Sequence, residues 1–154
     1  MSVSAPLLVL LVLVIAMGVP VQAGVNASLS PFVGHPILAA LTNTSVASLA
    51  LIVMAVLFRV PLPSLSGLSF APWWAWTGGL LGATFVISAL TLAPKLGAAA
   101  YVSTGVVGTM ISSLLLDHYG LIGFKPIAIT PVRVIGVLLV IAGMMLQQLK
   151  PSEA

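Results

Sequence analysis

The sequence predicts an all-α polytopic membrane protein: five transmembrane helices, packed as helix hairpins, with two copies pairing as an antiparallel dimer. Three observations lead there. Of the 154 residues, 60% are hydrophobic and only 5% charged, where a soluble domain carries roughly 25% charged residues. The apolar residues come in unbroken runs of about 20, the length that crosses a hydrocarbon core as a helix. The five Lys/Arg and two Asp/Glu fall at or near the connections between runs, or in the tail. Inside hydrocarbon the backbone has no water to bond, so only helices and closed barrels can span. Barrel strands would alternate apolar and polar positions; these runs do not.

The first run covers residues 5–24. Val21-Gln22-Ala23 has the form of a secretory cleavage site, but no Lys or Arg precedes the run, so it reads as a retained helix. Ser30-Pro31 and Gly34 follow as breakers, and the second run covers residues 36–58. Asn26-Ala27-Ser28 and Asn43-Thr44-Ser45 match glycosylation sequons, and the second lies within a span. A proline-bearing stretch, residues 59–72, leads to the third run at 73–92. Trp73, Trp74 and Trp76 open it, where amphipathic rings favour the headgroup level. Pro94-Lys95-Leu96-Gly97 makes a link so short that the third and fourth helices must fold back as a hairpin. The fourth run covers 98–116. Asp117 to Pro131 is the last connection, and the fifth run covers 132–149.

With five spans the termini lie on opposite sides. Arg59, Lys125, Arg133 and Asp117 share one face, Lys95, Lys150 and Glu153 the other. So small a positive bias fits either an amino terminus in the cytoplasm or insertion both ways round. Dual insertion, toward which the balance leans, would allow an antiparallel homodimer and recreate the inverted repeat of many secondary transporters.

Polar residues within the spans carry the functional reading. Gly18, Gln22 and Asn26 recur every four residues on one helix face. Pro20, between them, has no N–H and leaves the carbonyl of Ala16 without its helical donor. Interrupted helices beside amides are one way to hold a polar solute within a bilayer; amides also serve as glue between helices. In the second span, Ser and Thr can satisfy their hydroxyls on the preceding turn, whereas Asn43 requires a partner. Gly78 and Gly82, Thr104, Gly108 and Ser112, and Gly136, Gly143 and Gln147 form small-residue stripes suited to packing or dimer contact.

Other chemistry finds little support. No carboxylate lies mid-span, which disfavours a proton-coupled pump built on a membrane carboxylate. His35 and His118 fall in separate loops, and His118 beside Asp117 reads as an exposed interfacial pair. The chain has no cysteine, and no catalytic triad, metal spacing or phosphate-cradling loop, so an enzyme is disfavoured and no cofactor is expected. Nor is there a basic cluster with interleaved aromatics to meet nucleic acid; the expected partners are the lipid bilayer, a small-molecule substrate and a second chain.

Gly18, Pro20, Gln22, Ala23, Gly24 and Asn26 resemble the first helix of the bacterial YdcZ-like (DUF606) proteins of the drug/metabolite transporter superfamily. The likeness continues through Pro72-Trp73-Trp74-Ala75-Trp76, Gly78-Gly79, Gly82-Ala83 and Ala93-Pro94-Lys95-Leu96-Gly97-Ala98. It closes with Ser113 through Leu121, then Pro131, Arg133, Gly136 and Gly143. Gly108-Thr109 departs from the Gly-Gln common in that family, and Asn43-Thr44-Ser45 from an aromatic-rich start to the second helix. The resemblance implies a small inner-membrane transporter acting as a homodimer or with a sister subunit. It also implies a plan like that of the small multidrug resistance proteins without their first-helix glutamate. The expectation is a secondary transporter of a small polar or amphipathic metabolite, with Pro20, Gln22, Asn26, Asn43 and Tyr101 contributing to a midplane cavity. The rival is a non-transporting membrane subunit or assembly factor of a larger complex.

Overall fold

The computed structural model describes residues 5–64 and 69–149. Among them every regular element is helical: α1 (Ala5–Ala16), α2 (Gly18–Val33), α3 (Pro36–Leu57), α4 (Thr77–Leu96), α5 (Ala98–Tyr119) and α6 (Pro131–Gln148). Short 3₁₀ turns at Trp73–Trp76 and Leu121–Gly123 precede α4 and follow α5. Counting α1 and α2 as one 29-residue span, and the tryptophan turn with α4, five helices are long and apolar enough to cross a membrane. Lys150 and Glu153, which enter the charge balance above, lie outside the described residues.

The first span corrects the sequence expectation most. It does not end at Gly24; it runs to Val33, through Ser30-Pro31. A proline so near a helix end forfeits a single backbone hydrogen bond, which a long helix tolerates. Termination falls instead to Gly34, whose φ of 82° is left-handed and whose N–H donates to the Ser30 carbonyl at 3.0 Å. Gly at this position is the commonest helix stop. The next helix starts at once: the His35 ring Nδ1 accepts from the Ile37 N–H at 3.2 Å, and Pro36 takes the first turn, where its missing donor costs nothing. The interruption near Pro20 is real but slight. Met17 keeps helical angles, φ −60° and ψ −22°, and its N–H donates to the Leu13 carbonyl at 3.1 Å, so the chain continues as a helix past Ala16, the carbonyl that Pro20 leaves undonated.

Pro94 is likewise absorbed. The third span continues to Leu96, and the expected link at residues 94–97 contracts to Gly97, with φ 85° and ψ 148°. At their other ends the later spans also exceed the apolar runs. α5 continues through Asp117 and His118 to Tyr119, stopped by left-handed Gly120. α6 begins at Pro131 behind Thr130, whose Oγ1 accepts from the Arg133 N–H at 3.4 Å.

The described chain forms two compact units, divided after Lys95. In the first, α2 packs on α3, and Ala39, Ala40 and Leu90 form a small core with Ala27, Leu29, Val33, Val86 and Ile87 around it. In the second, α5 packs on α6. The buried apolar residues are Ala23, Ala39, Ala40, Ala89, Leu90, Ala93 and Val137, five of them alanine. Small side chains therefore sit at the helix contacts, while the large apolar ones point outward, Val9 and Leu57 being 69% and 72% exposed. Water would penalise that distribution, but acyl chains are as apolar as Leu and do not. Helix contact in such a setting comes from close packing, which alanine permits.

Candidate functional site

Within the first unit, α2 and α3 enclose an open groove of about 350 Å³, lined by Val25, Asn26, Ser28, Leu29, Phe32, Thr42, Asn43 and Val46. The helical repeat explains the lining: residues 25, 28, 29 and 32 share one face of α2, as 42, 43 and 46 share one of α3. Asn26 is 6% exposed, and its side chain makes no hydrogen bond to the described residues. No polar atom sealed from the exterior goes unpaired there, so the Asn26 amide keeps access to the groove. Asn43, half-buried, faces the same space. The two hydroxyls have prior commitments. Ser28 Oγ donates to the Val25 carbonyl at 2.8 Å and Thr42 Oγ1 to the Leu38 carbonyl at 2.9 Å, so each offers the groove its oxygen as an acceptor.

Depth follows from helix geometry. Asn26 stands seven residues before the end of α2 and Asn43 seven after the start of α3, each about 10 Å along its axis from the Gly34-His35 turn. The two asparagines therefore stand at matched distance from that turn. Gln22, one helical turn farther along α2, is exposed and does not line it. Pro20, half-buried, is farther still. Tyr101 belongs to the second unit, half-buried in the first turn of α5. The structure thus brings Asn26 and Asn43 together in one groove and leaves Pro20, Gln22 and Tyr101 out of its lining. Ser28 and Thr42 join them. Ser28 stands two residues after Asn26 and Thr42 one before Asn43, spacings that do not mark a common helix face, so the sequence carried no signal for them.

The second unit holds an ionic clasp. Arg133 Nη2 donates to Asp117 Oδ2 at 2.5 Å, with the side chains 32% and 20% exposed respectively. Arg133 Nη1 reaches the Ile127 carbonyl at 3.5 Å, and the Ile127 N–H bonds the Asp117 backbone carbonyl at 2.8 Å. The partner of Asp117 is therefore Arg133, not the adjacent His118. Neighbours in a helix point about 100° apart, and His118 turns outward to accept from the Ile129 N–H at 3.4 Å. Thr104 Oγ1 accepts from Gln148 Nε2 at 3.2 Å. These two contacts tie the end of α5 to the start of α6 and the start of α5 to the end of α6. Among the glycine stripes, a Cβ built at Gly78, Gly82, Gly108, Gly136 or Gly143 meets nothing within 4 Å. Close packing among the described residues of their own unit does not account for those glycines.

Long apolar helices, outward-facing large side chains and a groove with polar residues cut into a span define a multi-pass α-helical membrane protein. The model of the family described as "Putative inner membrane exporter, YdcZ" matches residues 7–146. The chain belongs to this family and is a multi-pass inner-membrane protein, and the family's description supports a transporter role. No curated protein and no solved structure matches it.

Proposed function

We infer that this chain is a secondary transporter that moves a small polar or amphipathic metabolite across the inner membrane. It works as an antiparallel homodimer, or with a sister subunit, its helices packed as hairpins. The observation that carries the reading is Asn26: a carboxamide nine-tenths buried in a membrane span, without a partner among the described residues, opening on a groove shared with Asn43. The amide keeps access to the groove and has no side-chain partner of its own, so a passing solute can bond it there. Gln22 and Pro20, farther along α2, extend the pathway beyond the groove, and Tyr101 is the candidate substrate contact of the second unit. Dual insertion supplies the second copy in the opposite sense.

Transport assays in proteoliposomes test this. Counterflow of at least one solute from a broad panel, lost in Asn26→Leu and reduced in Gln22→Ala, is the expected outcome. If no solute moves, and neither substitution alters a growth phenotype, the reading fails. Reporter fusions at both ends of the chain test orientation: activity of cytoplasmic and external reporters at one terminus establishes dual insertion. The second reading, a non-transporting subunit, draws on the glycine stripes left open among the described residues of each unit. Purification as a stable dimer free of other proteins counts against it.

A further inference from the structure

We propose that the groove between α2 and α3 selects an uncharged solute bearing hydrogen-bond donors and acceptors on an apolar body, a primary carboxamide being the simplest such head group. This rests on the transport reading and names its substrate class. Asn26 and Asn43 each present an NH₂ and a carbonyl oxygen, whereas Ser28 and Thr42 present oxygens whose protons already go to helix carbonyls. The polar lining thus has more acceptors than donors, and a complementary solute must itself bring N–H or O–H groups. The rest of the lining is Val25, Leu29, Phe32 and Val46, which suits an apolar body. At about 350 Å³ the space lies at the lower end of small-ligand pockets.

Charge is excluded by what surrounds the amides. No ionisable side chain lines the groove. Along α3 the nearest cation beyond the span is Arg59, about 24 Å from Asn43 by helix rise. His35, at the turn, has its Nδ1 engaged by the Ile37 N–H. An ion entering this space would lose water and gain no counter-charge, a large penalty within a bilayer. A neutral amide loses less and regains it by pairing with Asn26 and Asn43.

The test uses three isosteric probes that differ in charge: benzamide, benzamidinium and benzoate. Equilibrium dialysis against the purified full-length chain in lipid nanodiscs, with empty nanodiscs subtracted, gives each Kd. Benzamide is expected to bind at least about tenfold more tightly than either ion, and Asn26→Leu to weaken it by about tenfold. Asn43→Leu provides a second variant should the first not remain monodisperse, with the same expectation. Benzamidinium or benzoate binding as tightly as benzamide, and lost in Asn26→Leu, overturns the neutral class while leaving the groove as a binding site. Binding by none of the probes up to millimolar concentration, or binding unchanged in both variants, overturns the groove and the transport reading built on it.

Discussion

Breaking the clasp between Asp117 and Arg133 should cost a definite amount. Two unit charges about 4 Å apart interact by ~1 kcal/mol in water and ~4 kcal/mol at the effective dielectric of a protein surface. With Arg133 one-third exposed and Asp117 one-fifth exposed, the pair lies between these limits. It exceeds the roughly 0.2–1 kcal/mol of fully exposed pairs and falls short of the ~3–5 kcal/mol for stranding a buried ion. A coupling of about 2 kcal/mol follows. The cycle comprises Asp117→Asn, Arg133→Gln and the double variant, unfolded by SDS in mixed micelles and followed by circular dichroism. The long Arg133–Ile127 contact vanishes in both Arg133 variants and so cancels from the coupling, while the backbone bond from Ile127 to Asp117 survives throughout. A coupling below about 0.3 kcal/mol, the scatter of independent sites, would refute the clasp.

Gly120→Ala places a side chain at φ 58°, with its Cβ 3.2 Å from Pro126 Cγ; a loss of about 1–2 kcal/mol is expected in the same unfolding assay. Thr104→Val removes the exposed bond from Gln148, and about 0.5–1 kcal/mol should be lost. Gly108→Leu projects into open space among the described residues of its unit. It should leave monomer unfolding within about 0.5 kcal/mol of the parent while abolishing chemical cross-linking between copies, if that stripe faces the second chain. Asn26→Leu should leave stability within about 1 kcal/mol of the parent, because the amide keeps access to the groove and no sealed polar atom is left unpaired, while lowering transport; thermal unfolding and counterflow on one preparation read both.

Hydropathy located the five spans because each is a run of residues that only lipid solvates well, and the punctuation between some of them was equally legible. Gly34-His35-Pro36 and Thr130-Pro131 are stop and start signals whose chemistry is local. The ends of the first and third spans were not legible. Pro31 and Pro94 look like breakers in a sequence, yet near a helix end each removes one donor and the helix continues. Asn26, which a helix ending at Gly24 would leave outside, lies well within α2 for that reason. The partner of Asp117 was hidden for a different one. Adjacency pointed to His118, but pairing is decided by which faces of α5 and α6 meet, and Arg133 is 16 positions away. In the groove, two asparagines were readable as amides needing partners. That they share one space with Ser28 and Thr42, without Gln22, depends on the rotation of α2 against α3, which residue types alone do not encode. The glycine stripes were readable as close-packing surfaces, but their openness among the described residues of each unit was not.

Whether the groove is a watered passage can be measured directly, because the chain has no cysteine and a single introduced thiol reports alone. Thr42 and Leu51 each stand six residues from an end of α3, at matched depth of about 9 Å; one lines the groove and the other is 65% exposed on the apolar surface. In cells treated with a membrane-impermeant maleimide, Thr42→Cys should react at least about tenfold faster than Leu51→Cys, because the thiolate forms only where water reaches it. Equal, slow labelling of the two would mean that lipid or protein fills the groove, and that nothing polar passes by way of Asn26 and Asn43.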